Sequence, residues 1–352
     1  MADALEKLAT AAALPHAVPG WLANGGARTA EPMQAIRATL GQPSVAILIP
    51  CFNEETAIAK VVTAFRAVLP HAAIYVYDNN STDRTALEAR AAGATVRCEG
   101  LQGKGHVVRR MFADVEADAY VLVDGDDTYD AAVAPRMVKL LLDRHLDMVS
   151  AARLTEQPDA YRPGHRIGNR LLTGIVRWVF GRGISDVLSG YRVFSRRFVK
   201  SFPALSEGFE TEAEFTIHAL TLNMPTQEVR THYRGRTEGS RSKLHTVLDG
   251  FRILRTILTL IEQERPLQSF GLATVMLLSA GLSLGIPVVL AFVETGLVER
   301  IPTAILATGL MLLAFLSLGC GLVLDCVSRG RKEMKRLAYL AVPAGARGVS
   351  CA

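Results

Sequence analysis

Asp124 and Asp126 stand in the run Tyr120-Val-Leu-Val-Asp-Gly-Asp-Asp-Thr-Tyr129. The apolar stretch 120–123 reads as a short buried strand, and the acids follow where the chain must leave the sheet. Carboxylates one residue apart at a strand's C-terminal edge can converge on one hard divalent cation, and open α/β sheets bind ligands at that edge. A polar turn has the same composition. However, an acidic triplet after a buried strand repels itself unless a cation or basic neighbour neutralises it. Mg²⁺ or Mn²⁺ held by Asp124 and Asp126 would bridge the protein to a diphosphate.

Asp78 closes a second apolar run, Ala73-Ile-Tyr-Val-Tyr77. An ionised carboxylate only accepts hydrogen bonds, which suits a base or a ribose hydroxyl. Ser81, Thr82 and Asp83 after it are helix-capping residues. Lys104, between Gly103 and Gly105, has unhindered reach to a phosphate, and a surface loop would look the same. The basic run from Tyr233 to Lys243 carries Arg234 and Lys243 among glycines and hydroxyls. It fits a loop closing over phosphate, a solvated loop, or contact with anionic lipid headgroups. Arg153 and Arg166 flank the stretch 154–165 and share these alternatives.

The elements that must position these groups alternate. Val45–Ile49 is an apolar run ending at Pro50, as a strand buried on both faces should. Helical spacing follows over 54–69, then the 73–77 strand, a helix over 85–92, a third strand over 95–97 and a helix after Gly105. Strand 120–123 and a further strand over 146–151 complete a mainly parallel α/β sheet.

Two segments, Phe270–Val293 and Ile301–Leu324, contain no charged residue and are long enough to cross a hydrocarbon core of ~30 Å. Pro287 would kink the first. Arg252, Arg255 and Arg265 precede them, and Arg329, Arg331, Lys332, Lys335 and Arg336 follow. The positive-inside rule therefore puts both ends and the α/β domain in the cytoplasm, and the membrane expected is the inner (plasma) membrane, crossed more than once. Leu244, Val247, Leu248, Phe251, Leu254, Leu258 and Ile261 form an apolar stripe that suits either a core helix or one lying in the membrane interface. The boundaries expected are a lead-in over 1–43, a catalytic domain over 44–241, a juxtamembrane helix over 242–266, a hairpin over 267–326 and a basic tail over 327–352. Gly281, Gly285, Gly319 and Gly321 offer small faces for a homo-oligomer. The chain has 352 residues and a net charge of +5, yet aromatics are only 7% and no basic run is interleaved with them. That argues against nucleic acid as a partner. Five scattered cysteines argue against a disulfide framework.

Together these stretches resemble glycosyltransferase family 2, in its polyprenyl-phosphate (dolichyl-phosphate-type) sugar synthase group. Ile47-Leu-Ile-Pro-Cys-Phe-Asn-Glu54, Asp78-Asn-Asn-Ser-Thr-Asp83, Gly103-Lys-Gly105, Asp124-Gly-Asp126, Asp186-Val-Leu-Ser-Gly-Tyr-Arg192, Gly208-Phe-Glu-Thr-Glu212 and Gly239-Ser-Arg-Ser-Lys-Leu244 occur in the family's order. The resemblance implies a GT-A fold, Rossmann-like with a mainly parallel sheet, followed by interfacial helices and two transmembrane helices. It implies a nucleoside-diphosphate sugar donor, bound by Pro50, Asn53, Glu54, Asp78, Asn80, Lys104, Asp124 and Gly125. Mg²⁺ or Mn²⁺ would sit on Asp124 and Asp126, and the acceptor would be a polyprenyl phosphate at the bilayer. Asp186 would orient sugar or acceptor, while Arg153, Arg166, Arg234 and Lys243 would hold phosphates. Thr128 stands where longer metal motifs carry Gln, leaving Asp127 or water as a third ligand. The alternatives are transfer to a hydroxyl of a glycolipid, glycan or protein, with Asp186 as base, or a sugar-nucleotide-binding membrane protein without turnover.

Overall fold

The structure, a computed structural model, describes residues 43–154, 172–179, 181, 184–235 and 246–343. The 155–171 and 236–245 stretches, with Arg166 and Lys243, and the 1–42 lead-in lie outside the described residues.

The first half is a run of βα units: β1 (Val45–Cys51), α1 (Ile58–Val68), β2 (Ala73–Asp78), α2 (Thr85–Ala91), β3 (Thr95–Cys98), α3 (Lys104–Asp114), β4 (Ala119–Leu122) and α4 (Ala134–Asp143). Then come β5 (Met148–Leu154), a helical stretch over 172–179, β6 (Arg192–Ser195), α5 (Arg196–Ser201), α6 (Thr211–Thr221) and β7 (Thr226–His232). The seven strands pair in the order β3-β2-β1-β4-β6-β5-β7. Strands β1 to β4 are parallel, β6 runs antiparallel between β4 and β5, and β7 is parallel to β5. The chain winds outward from β1 to β3 and returns to lay β4 on β1's other side. This reversal opens a crevice beyond the carboxyl ends of β1 and β4, where ligands bind in such sheets.

Alternation along the strands builds two cores, because successive side chains point to opposite faces. Ile47 and Ile49 pack with Val62 and Phe65 of α1 and Met137 and Leu141 of α4. Leu48 lies on the other face with Met111 and Phe112 of α3, Phe194, Phe198 and Phe215. Phe194 and Phe198 stack at 4.4 Å between centroids, and Phe112 meets Phe194 edge-on at 5.9 Å.

The second core also takes in α7 (Thr246–Glu264), through buried Ile253 and Ile257. Phe251 and Leu258 of the expected apolar stripe are 69% and 52% exposed. The helix thus docks on the catalytic domain with one side and leaves an apolar strip outside, so it combines the two alternatives read from its sequence.

Helices α8 (Pro266–Thr295) and α9 (Ile301–Ala341) are long and apolar enough to cross a membrane, holding 18-residue stretches of mean hydropathy 2.2 and 2.3 respectively. Their large side chains, Val275, Val289, Ile305 and Leu312 among them, face outward, unlike those of a soluble core hairpin. α8 continues through Pro287. Gly281 and Gly285 sit against Ala307 of α9, and Gly321 against Phe270. Three of the four glycines assigned to subunit contact are therefore used between α8 and α9.

Within the basic tail expected over 327–352, residues 327–341 continue α9 as helix. Arg331 donates to Gln263 O at 2.9 Å, Lys332 and Ser328 donate to Glu264 O, and Lys335 reaches Glu264 Oε1 at 2.6 Å. Cations thereby satisfy the terminal carbonyls that α7 leaves without helical partners. Farther on, the Tyr339 hydroxyl donates to Asp147 Oδ2 at 2.9 Å, and Arg197 donates to Val342 O at 3.0 Å.

Candidate active site

Four loops meet at the crevice, and their own polar groups bind them to each other. Asn53 N donates to Ser81 Oγ at 2.9 Å, Thr82 N donates to Asn53 Oδ1 at 2.8 Å, and Glu54 N donates to Thr85 Oγ1 at 2.7 Å. Asn79, buried, donates to Glu99 O and Leu101 O and accepts from Gly103 N at 2.7 Å. Asn80 donates to Gly100 O at 2.9 Å. Asn53, Asn80 and Asp127 all have left-handed backbone, with φ of 53°, 62° and 59°. Asn and Asp tolerate that region better than other side chains, and departures of this kind gather at functional sites.

Asp78 ends β2 in the crevice and is 7% exposed. Its Oδ2 accepts from Ser81 N at 3.3 Å, while its Oδ1 is buried without a hydrogen-bond partner. Asp124 and Asp126 follow β4 on the opposite wall. Thr128 does not extend the acidic pair outward: its hydroxyl donates to Asp126 Oδ1 at 2.6 Å and holds that carboxylate in place. Gly125 lies over Cys51, close enough that a Cβ would strike the sulfur. Burial, reinforced by the charges of Glu54, Asp78, Asp124 and Asp126, pushes the Cys51 thiol up and keeps it protonated.

Lys104 opens α3 and lies beneath Asp124. Its Nζ is 2.5 Å from Asp124 Oδ1 and 2.5 Å from Glu212 Oε1 on α6. Desolvation pulls the ammonium down, but the two carboxylates overcome it and hold its pKa above the ordinary lysine value. Burial chiefly, aided by repulsion from Asp124 and opposed by Lys104, pushes Glu212 up. The flanking glycines serve packing: a Cβ at Gly103 or Gly105 would collide with the backbone of Glu207 or Ser206. Gly105 N donates to Glu207 O at 2.8 Å.

The third wall is the 185–191 loop. Arg153 grips Asp186 with two parallel bonds, Nε to Oδ2 at 2.7 Å and Nη2 to Oδ1 at 2.8 Å. Glu228 on β7 accepts from Ser185 N and Asp186 N. Gly190 N donates to the Tyr129 hydroxyl at 2.9 Å, and Gly190 has no room for a Cβ beside the Asp124 carboxylate. Arg192 is fully buried and donates to Ser189 O, Val187 O and Thr216 Oγ1, which fixes the loop from behind. Its desolvation lowers its pKa to about 10, and it stays charged at neutral pH. Arg234 is exposed at the rim, 3.8 Å from Asp130.

Residues 46–202 match the glycosyl transferase family 2 profile. Protein RfbJ of Shigella flexneri is 56% identical over 124 residues, which is 35% of this chain and 96% of that protein. Glycosyltransferase AglJ of Haloferax volcanii is 31% identical over 69% of this chain and 80% of its own length. The chain belongs to glycosyl transferase family 2. Another relative of this glycosyltransferase, the dolichyl-phosphate hexose transferase of the same archaeon, is 27% identical over 63% of the chain and 95% of its own length. Among solved structures, Mycobacterium tuberculosis glucosyl-3-phosphoglycerate synthase, in complex with Mn²⁺, UDP-glucose and phosphoglyceric acid, shares the fold. Its TM-score is 0.54 at 22% identity, over 68% of this chain and 86% of that one.

In this family 2 glycosyltransferase the crevice collects Pro50, Asn53, Glu54, Asp78, Asn80, Lys104, Asp124, Gly125 and Asp126 around the β1–β4 switch point, with Asp186 and Arg153 joined to each other on the β5–β6 side. A divalent cation fits the donor set. Among the described residues no three His, Cys, Asp or Glu side chains converge on one point. A cation here would therefore have two protein carboxylates and take its other oxygens from diphosphate and water, as Mg²⁺ sites commonly do. Glu212 and Arg192 were missed as site residues. Both stood in quoted motifs, but only the tertiary fold brings Glu212 to Lys104, 108 positions earlier.

Proposed function

We propose that this glycosyltransferase is an inverting, membrane-anchored enzyme that moves a sugar from a nucleoside-diphosphate sugar to a polyprenyl phosphate at the cytoplasmic face. The observation that carries the reading is the path from the apolar hairpin to the crevice. Helix α7 runs into α8 and packs its Ile253 and Ile257 into the core shared with Phe215 of α6. Arg252 of α7 lies 3.7 Å from Glu210, the residue just before the helix that carries Glu212. An acceptor anchored in lipid would thus meet the enzyme on the side of its catalytic groups. The dolichyl-phosphate hexose transferase among its relatives supports the same acceptor class.

In this reading Asp78 accepts a hydrogen bond from the nucleoside through its unpartnered Oδ1. Asp124 and Asp126 hold Mg²⁺ or Mn²⁺, which when bound offsets the charge of the leaving diphosphate. An acceptor phosphate oxygen attacks the anomeric carbon in line as the bond from that carbon to the diphosphate oxygen breaks, which inverts the centre. The attacking oxygen is already anionic, so no strong base is required, and positioning plus charge stabilisation carry the rate. Asp186, fixed by Arg153, orients the sugar or the acceptor, and Arg234, with Arg166 and Lys243, holds phosphate. The paired polyprenyl phosphate and polyprenol, offered to detergent-purified enzyme, test this. The phosphate is glycosylated and the alcohol is not; transfer to the alcohol alone would move the assignment to hydroxyl acceptors.

A further inference from the structure

Lys104 answers to two carboxylates at once. Its side chain is 8% exposed and that of Glu212 is 6%, whereas Asp124 is 30% exposed and faces the opening. Glu212 Oε2 is buried with no hydrogen-bond partner. With both acids ionised, one ammonium leaves one negative charge among these three groups, and the buried Arg192 guanidinium also acts on Glu212. Nor is Glu212 free to drift: its segment is tied to the start of α3 by the Gly105–Glu207 bond, and the glycines at 103 and 105 allow that contact.

We propose that Lys104 competes with the divalent cation for Asp124, and that Glu212 is the positioning residue that makes the exchange reversible. The inference rests on the reading of Asp124 and Asp126 as the metal-binding acids, and it is independent of the acceptor. Lys104 sits on Oδ1 of Asp124, one of the two oxygens that carboxylate could offer a cation, and a second positive charge brought beside the ammonium is repelled. Glu212 offers Lys104 another anion at the same distance. When Asp124 is engaged elsewhere, the ammonium stays at the floor of the crevice, within reach of the diphosphate. Glu212 acts through Lys104 and touches neither metal nor substrate.

Mn²⁺ alone, titrated into the full-length protein in detergent with free Mn²⁺ read by electron paramagnetic resonance, tests this. Lys104→Met removes the competitor, and Mn²⁺ binds roughly tenfold tighter or more. Lys104→Gln, which keeps a donor between the acids, carries the same expectation should the Met variant not fold. Glu212→Gln leaves Asp124 as the lysine's one carboxylate, and Mn²⁺ binds more weakly. In the Lys104→Met background, Glu212→Gln loses most of that effect. Binding no tighter in either lysine variant overturns the proposal, as does a Glu212→Gln effect that persists undiminished without Lys104. Asp126→Asn separates the two readings, since unchanged Mn²⁺ binding there would remove the metal assignment itself.

Discussion

Arg153 and Asp186 form a two-bond ion pair between the end of β5 and the 185–191 loop, with the side chains 13% and 8% exposed. The arginine expected to hold a phosphate is thus engaged with the acid expected to orient the substrate. Removing one partner leaves the other charge buried without this ion pair, a loss of up to about 3–5 kcal/mol. Asp186→Ala should lower the apparent Tm strongly, and the double change with Arg153→Ala should cost less than the sum of the single changes. Arg153→Lys, which cannot form the planar fork, should keep most of the stability but lower kcat. Thermal unfolding and steady-state kinetics on the same preparations check both.

Gly105 and Gly100 make a matched pair. A Cβ at Gly105 meets the Ser206 backbone, whereas one at Gly100 meets nothing within 4 Å. Gly105→Ala should destabilise the protein by ~1–3 kcal/mol and disturb the Lys104–Glu212 contact, while Gly100→Ala should be near neutral. Chemical denaturation of the two variants side by side gives the comparison.

His218 is a core residue, hydrogen-bonded to Ser201 Oγ at 3.2 Å and edge-on to Phe198 and Phe202. Burial, with a smaller push from Lys335, lowers its pKa to about 3 from the usual 6.5. The folded state keeps it neutral, so between those values the unfolded chain binds the extra proton. Its contribution should therefore be intact above pH 6.5 and lost as pH falls toward 3, by up to about 1.4 kcal/mol per pH unit. His218→Gln should flatten this part of the stability profile, measured by denaturation from pH 7 to 4.5.

The end of α9 braces the catalytic domain through Tyr339 and Asp147. Tyr339→Phe leaves Asp147 with its Ser195 bond at 2.6 Å and should cost about 1 kcal/mol. Deleting the chain from Arg329 onward should lower transfer to a bilayer-embedded acceptor far more than nucleotide binding. Liposome assays run beside calorimetric titration with UDP and GDP would show the difference.

Much of this was legible in the sequence because buried parallel strands and uncharged spans leave unbroken apolar runs. Strands β1, β2 and β4 and helix α8 fall within a few residues of where the sequence puts them, α9 starts at the expected Ile301, and the acids Asp78 and Asp124 follow their strands as expected. Partnership was not legible. Nothing local to Lys104 announces Glu212, and nothing at Arg153 announces Asp186. The α7 stripe left two alternatives open because its buried side, Ile253 and Ile257, is offset from the exposed Phe251 and Leu258 while Leu254 and Ile261 pack on the core. The cations of the 327–341 stretch speak in the sequence only to orientation, and nothing in their spacing announces that several of them reach the end of α7.

The most direct test of the central claim is sugar transfer by detergent-purified protein to short-chain polyprenyl phosphate, with Mn²⁺ or Mg²⁺ and a panel of nucleotide sugars, wild type beside Asp126→Asn. The account predicts a polyprenyl-phosphate sugar of inverted anomeric configuration, formed only with metal and reduced at least about 100-fold in the variant. A lipid product formed equally well by Asp126→Asn, or turnover confined to hydroxyl acceptors, would contradict it.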